Sequence, residues 1–180
     1  MRRRTMDRPV EIELETRRRI YDFVVANPGS HLRAIKDELD MPMGQLEYHL
    51  HYLEKRGLLD SKEDRYYKRF YPVEMSATDR RLLSAIRQEK PRQIVLIVLQ
   101  GPGIDHKTLQ MEMAIGASSL SFYMKDLIVK EVIDKRREGR RSLYTVNDPD
   151  RIVKLLITYR PSFLDKMVDR FLETWLDVGS

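Results

Sequence analysis

Between Met41 and Leu59 the chain reads MPMGQLEYHLHYLEKRGLL, and Met43, Leu46, Leu50 and Leu53 recur at steps of three, four and three. That spacing lays one apolar stripe along a helix. Gly44, Tyr48, His51, Tyr52 and Lys55 fall on the opposite side, flanked by Gln45 and Glu47. Gly57 supplies a left-handed residue to end the helix, and Leu58 and Leu59 begin an extended run. Upstream, Leu32, Ile35 and Leu39 predict a shorter helix over Ser30–Asp40, with Ser30 placed to cap it. Before it, Leu14, Ile20, Phe23, Val24 and Val25 predict a helix over 13–26, stopped by Asn27-Pro28-Gly29. A short helix, a tight turn and a helix with a polar and aromatic outer face form a helix-turn-helix arrangement. The same spacings also suit any helical hairpin of an all-α protein.

After the central helix, Leu58–Asp60 and Tyr66–Val73 read as two short strands around the charged turn Ser61–Arg65. The pattern then repeats. A shift of 74 residues without a gap places Ile20 on Ile94, Asn27-Pro28-Gly29 on Gly101-Pro102-Gly103, and Ile35 on Leu109. The same shift places Leu46 on Leu120, Tyr48 on Phe122, Leu53 on Leu127, Leu59-Asp60 on Ile133-Asp134, and Phe70 on Tyr144. A repeat of this length predicts two small domains rather than a solenoid. The second hairpin is expected over Val132–Val146 with the seven-residue turn Lys135–Arg141, which holds five cations and one anion.

The expected organisation is therefore a basic flexible arm over 1–12, one domain over 13–73 and a linker helix over 74–90, with Pro91 at the boundary. A second domain follows over 91–147, and two C-terminal helices separated by Pro161 occupy 148–180. The arm carries Arg2, Arg3, Arg4 and Arg8; such a segment is either a mobile end or a strand of charge that enters a DNA minor groove. In the last helix Leu164, Met167, Val168, Phe171, Leu172, Trp175 and Leu176 form a broad apolar side. That side serves either packing on the second domain or a dimer contact, for which Leu164, Met167, Phe171 and Trp175 are the candidates.

Charge adds a bias towards an anionic partner: 33 Lys and Arg stand against 28 Asp and Glu, a net +5. Cysteine is absent, which removes disulfides, thiolate nucleophiles and zinc–thiolate sites. Arg2, Arg3 and Arg4 are not followed by an apolar core, so no signal peptide is expected, and Ile94–Leu99 is too short to span a bilayer. A cytoplasmic protein without membrane attachment is the expectation. The four histidines, His31, His49, His51 and His106, show no nucleophile partner and no HExxH spacing. His49 and His51 point to opposite sides of a helix and cannot share a metal. Neither an enzyme, nor a metal site, nor a cofactor is expected.

The string His49-Leu50-His51-Tyr52-Leu53-Glu54-Lys55-Arg56-Gly57-Leu58-Leu59 resembles the recognition-helix signature of ArsR/MarR-type winged-helix regulators. There the pattern is roughly His-Leu, two variable residues, Leu-Glu, two variable residues, then Gly-Leu and a branched apolar residue. Tyr67-Lys68-Arg69-Phe70-Tyr71-Pro72 resembles the wing exit of archaeal members. The second domain matches loosely, because Met124-Lys125-Asp126-Leu127 lacks the His-Leu and the glycine. As a whole the chain is similar to archaeal tandem winged-helix transcription regulators. The resemblance implies a mainly α fold with small β-hairpin wings, in two tandem winged helix-turn-helix domains plus C-terminal helices. It also implies that each third helix lies in a major groove of double-stranded DNA with its wing on the neighbouring backbone.

The residues can carry that role. Gly44 permits close approach, Gln45 can pair an adenine edge, and Tyr48 and His51 can touch bases or phosphates. Ser118, Ser119, Ser121 and Lys125 are their counterparts in the second domain. Lys55, Arg65, Lys68 and Arg69 are the phosphate candidates of the first domain, and Arg136, Arg137, Arg140 and Arg141 those of the second. Asp126 and Val129 conflict with a groove-facing helix. A sequence-specific regulator acting as a homodimer is the leading expectation. The rival is a tandem winged-helix scaffold of a chromosome-condensation or sorting complex, using its third helices for protein contacts.

Overall fold

A computed structural model of the chain describes residues 8–64 and 67–178. Two compact units divide after Ser76. The first contains α1 (Arg8–Ala26), β1 (Ser30–His31), α2 (Leu32–Leu39), α3 (Met43–Lys55), β2 (Leu59–Asp64) and β3 (Tyr67–Pro72). Its antiparallel sheet has the order β1-β3-β2, with Ser61 opposite Phe70 and Asp64 opposite Tyr67. Ile20, Val24, Ile35, Leu46, Leu50, Leu53, Leu59 and Phe70 meet in one buried core. Each such side chain contributes about 1.5–3 kcal/mol of burial, which is what holds short helices that would not persist alone.

The ends of these elements are set locally. His31, not Ser30, caps α2: its Nδ1 accepts from the Ala34 N–H at 3.1 Å. The Ser30 hydroxyl instead donates to the Asn27 carbonyl. Gly57, at φ +68, ends α3 in a Schellman motif, with the Leu58 N–H on the Leu53 carbonyl and the Gly57 N–H on that of Glu54. Three expectations change. Helix α1 begins at Arg8, so the last residues of the expected arm are helical, whereas Arg2, Arg3 and Arg4 lie outside the described residues. Met43, assigned inward, is 37% exposed. The supposed turn Ser61–Asp64 is strand, because it ladders against Tyr67–Pro72.

The second unit runs α4 (Ala77–Ile86), α5 (Glu89–Gln100), β4 (Ile104–Asp105), α6 (His106–Met113), α7 (Ala117–Val129), β5 (Ile133–Glu138), β6 (Arg141–Val146), α8 (Pro149–Thr158) and α9 (Lys166–Val178). From β4 to β6 every boundary lies 74 residues after its counterpart. Helix α4 is no free linker, since Leu82, Leu83, Ala85 and Ile86 are buried and Asp79 pairs with Arg151 at 2.8 Å. Pro91 falls in the first turn of α5 rather than at a boundary, a place where its missing N–H costs nothing. The seven-residue turn expected at Lys135–Arg141 is also corrected: Glu138 pairs with Arg141, so only Gly139 and Arg140 turn the chain. Gly139, at φ +59, supplies the left-handed first position such a hairpin needs.

Helix α9 folds back within its unit. Asp165, just before it, pairs with Arg92 at 2.7 Å, and Val168, Phe171 and Leu172 are buried. Phe171 is therefore a core residue and not a dimer candidate. Leu164 is 92% exposed and Leu176 53%, with Met167 and Trp175 partly covered.

Candidate nucleic-acid interface

Helix α3 turns Leu46, His49, Leu50 and Leu53 inward. Gly44, Gln45, Glu47, Tyr48, His51 and Lys55 remain exposed along its other side. Tyr48 is 56% exposed and meets His49 edge-on. A Cβ added at Gly44 would meet nothing within 4 Å, so packing does not require glycine there. Tyr52 is turned aside from this face, with the Arg17 guanidinium 3.8 Å over its ring. His49 is buried, and burial, reinforced by Arg17, lowers its pKa.

Two cations of the first wing are engaged within their own unit. Arg69 is buried, pairs with Asp64 at 2.9 Å and donates to the Gly29 carbonyl at 2.8 Å. It cannot be the phosphate contact that its sequence position suggests; it ties the wing to the turn after α1. Lys68 donates to Glu54 at 3.0 Å, and Glu54 also accepts the Ser61 hydroxyl. Arg65 lies outside the described residues. Lys62, which the sequence reading passed over, is exposed on β2. Its alternation with Ser61 in an extended run was the available signal.

In the second unit Ser118, Ser119, Ser121 and Lys125 are exposed on α7, together with Phe122 at 52% and Val129 at 73%. Asp126 does not face outward: it is buried and pairs with Lys130 at 3.2 Å, which removes half of the expected conflict. Lys135, Arg136, Arg137, Arg140 and Arg141 are all exposed on the second wing. No ion pair holds Arg136, Arg137 or Arg140 among the described residues. Where the first wing has Arg69, the second has Leu143, so no buried pair consumes its charge. Among the described residues no group of three His, Asp or Glu could hold a metal ion, and no helix is long and apolar enough to cross a membrane.

Three helices, a short strand and a β-hairpin wing make the first unit a winged helix-turn-helix domain, and residues 14–83 match a family model described as an N-terminal HTH domain (HVO_0163 type). Over 134 residues, 74% of the chain, the sequence is 30% identical to the uncharacterized HTH-type transcriptional regulator MJ1398 of Methanocaldococcus jannaschii. The chain spans 34% of that protein's length. Among solved structures, HlyU of Vibrio cholerae N16961 is similar at a TM-score of 0.42 and 21% identity, covering 47% of this chain and 90% of that one. The PcaV transcriptional regulator of Streptomyces coelicolor, in complex with its natural ligand, is similar at 0.33 and 21% identity, covering 74% and 77%.

Proposed function

We propose that the chain is a sequence-specific, double-stranded DNA-binding transcription regulator of the cytoplasm, acting by binding rather than catalysis. Helix α3 enters a major groove with Gln45, Tyr48 and His51 towards base edges and Lys55 on a phosphate. The observation that carries this reading is the exposed polar and aromatic side of α3, free of the core on the third helix of a winged helix-turn-helix domain. The five exposed cations of the second wing supply the backbone grip. The name of the relative, an HTH-type transcriptional regulator, supports the same reading. We read the functional form as a homodimer, because a two-fold protein matches a two-fold operator.

A gel shift with random duplex DNA at low salt tests the reading, followed by selection of bound sequences. Binding that strengthens on a selected site supports it; absence of binding at low salt overturns it. The scaffold reading has one observation of its own, the exposed Phe122 and Val129 on α7, and it would prevail in that event.

A further inference from the structure

The two units correspond position for position, so each is a control for the other. In the first, side chains among the described residues bridge the helices and the wing. The His31 ring stacks on Tyr67 with centroids 4.9 Å apart, and Glu54 takes both Ser61 and Lys68. At the matching places the second unit carries Asp105 and Arg141, then Ile128, Lys135 and Ser142. An isoleucine accepts nothing, so Lys135 forms no ion pair among the described residues.

What results is a pair of adjoining clefts of about 410 and 450 Å³, with His106, Lys135 and Tyr144 lining both. Met124, Ile128 and Tyr144 give the smaller one an apolar wall, while Lys125, Lys135 and His106 give it donors. The Ser121 hydroxyl stands 3.5 Å from His106 Nε2 at its polar end. Asp105, the carboxylate at the rim of the other cleft, is already bonded to the Thr108 N–H at 2.9 Å.

We propose that this cleft of the second unit binds a small organic anion, with its carboxylate or phosphate on Lys125, Lys135 and His106 and its apolar body against Met124, Ile128 and Tyr144. The volume lies at the small-ligand end of the range for binding pockets, roughly 300–1,000 Å³. A duplex backbone offers phosphates flanked by sugars held in the helix, not a free apolar ring that could enter the cleft. Lys125 and Lys135, with Arg141 at the adjoining cleft, also belong to the surface assigned above to DNA, so occupancy would compete with DNA in this unit. That consequence rests on the DNA reading, whereas binding itself does not.

Titration of the ¹⁵N-labelled full chain with phenyl phosphate tests the site, with inorganic phosphate and benzyl alcohol as controls and no DNA present. The expected result is saturating amide shifts in α6, α7, β5 and β6, with phenyl phosphate binding at least about tenfold more tightly than either control. Lys135→Ser and Ile128→Glu, which install the first unit's residues, each weaken phenyl phosphate by about tenfold. Lys135 is exposed, so its variant keeps the fold, and an unchanged amide spectrum verifies this. Equal affinity for inorganic phosphate, shifts elsewhere, or an unaffected Lys135→Ser overturns the proposal. Failure of duplex binding leaves this titration unaltered.

Discussion

His31 and Asp105 occupy the same place in the two units and cap the same helical turn with different atoms. An imidazole can cap only while its Nδ1 is unprotonated, and here burial, then Arg69 and Arg33, lower the His31 pKa. His49 is lowered for the same leading reason. A folded pKa below the ordinary 6.5 means that the unfolded chain takes up the proton first as pH falls. The stabilisation is thus complete above 6.5 and is lost as pH falls from there to the lower folded values. Denaturant unfolding should show the first unit weaker at pH 5.5 than at 7.5, and His31→Asp should remove part of the difference while keeping the cap. His31→Ala should cost about 1 kcal/mol at neutral pH. Glu131 holds the left-handed place that Gly57 fills in the first unit, at φ +52. Glu131→Gly should therefore stabilise the second unit by roughly 0.5–1 kcal/mol, since the exposed pair with Arg81 that it gives up is worth little. Neither the cap nor the strained glutamate was legible in the sequence. Histidine is an unusual cap, and the backbone angle at 131 is dictated by a Schellman closure that only the fold reveals.

At the level of elements the helices were readable because apolar periodicity fixes which side is buried, and the outer side of α3 follows by subtraction. The wings were not. Runs such as Ser61–Asp64 and Lys135–Glu138 carry charges that suit turns, and only pairing with the next strand makes them extended. Arg69 shows the cost of that error: charge alone recommended it for phosphate, yet its register on β3 sends it inward to Asp64. Arg69→Ala should break a buried ion pair and the bond to the Gly29 carbonyl, and cost about 3–5 kcal/mol of stability. The plot of log affinity against log salt should keep its slope. Alanine at Arg136, Arg137, Arg140 and Arg141 should do the reverse. Stability should hold, all duplexes should bind more weakly to a similar degree, and each lost contact should flatten the plot by about 0.9. Gln45→Ala or Tyr48→Ala should instead cost about 1–3 kcal/mol on the selected site and little on random DNA. Equal losses on both would show that α3 does not read bases.

For the molecule as a whole, the repeat was legible and the division was displaced. The helix expected over 74–90 is present as α4, but sequence spacing cannot say on which unit that helix packs. The same limit applied to α9, whose apolar side is wider than one partner needs. Val168, Phe171 and Leu172 go into the core, while Leu164 and Leu176 are left outside. If the homodimer uses α9 and the segment just before it, Leu164→Asp should give a monomer by light scattering without lowering the melting temperature. Phe171→Ala should instead destabilise the fold by about 3–5 kcal/mol. A dimer indifferent to Leu164 and Leu176 would place the contact elsewhere.

The constant offset of 74 has a practical side. Two frames that agree to the residue are sockets of one gauge. Residues 43–55 can be written into 117–129, and 59–72 into 133–146, with no loop lengthened or shortened. Hybrids of that kind would transplant a reading helix without its wing, or a wing without its helix. The operator chosen by each hybrid would report which half of the chain dictates sequence preference and which merely holds on.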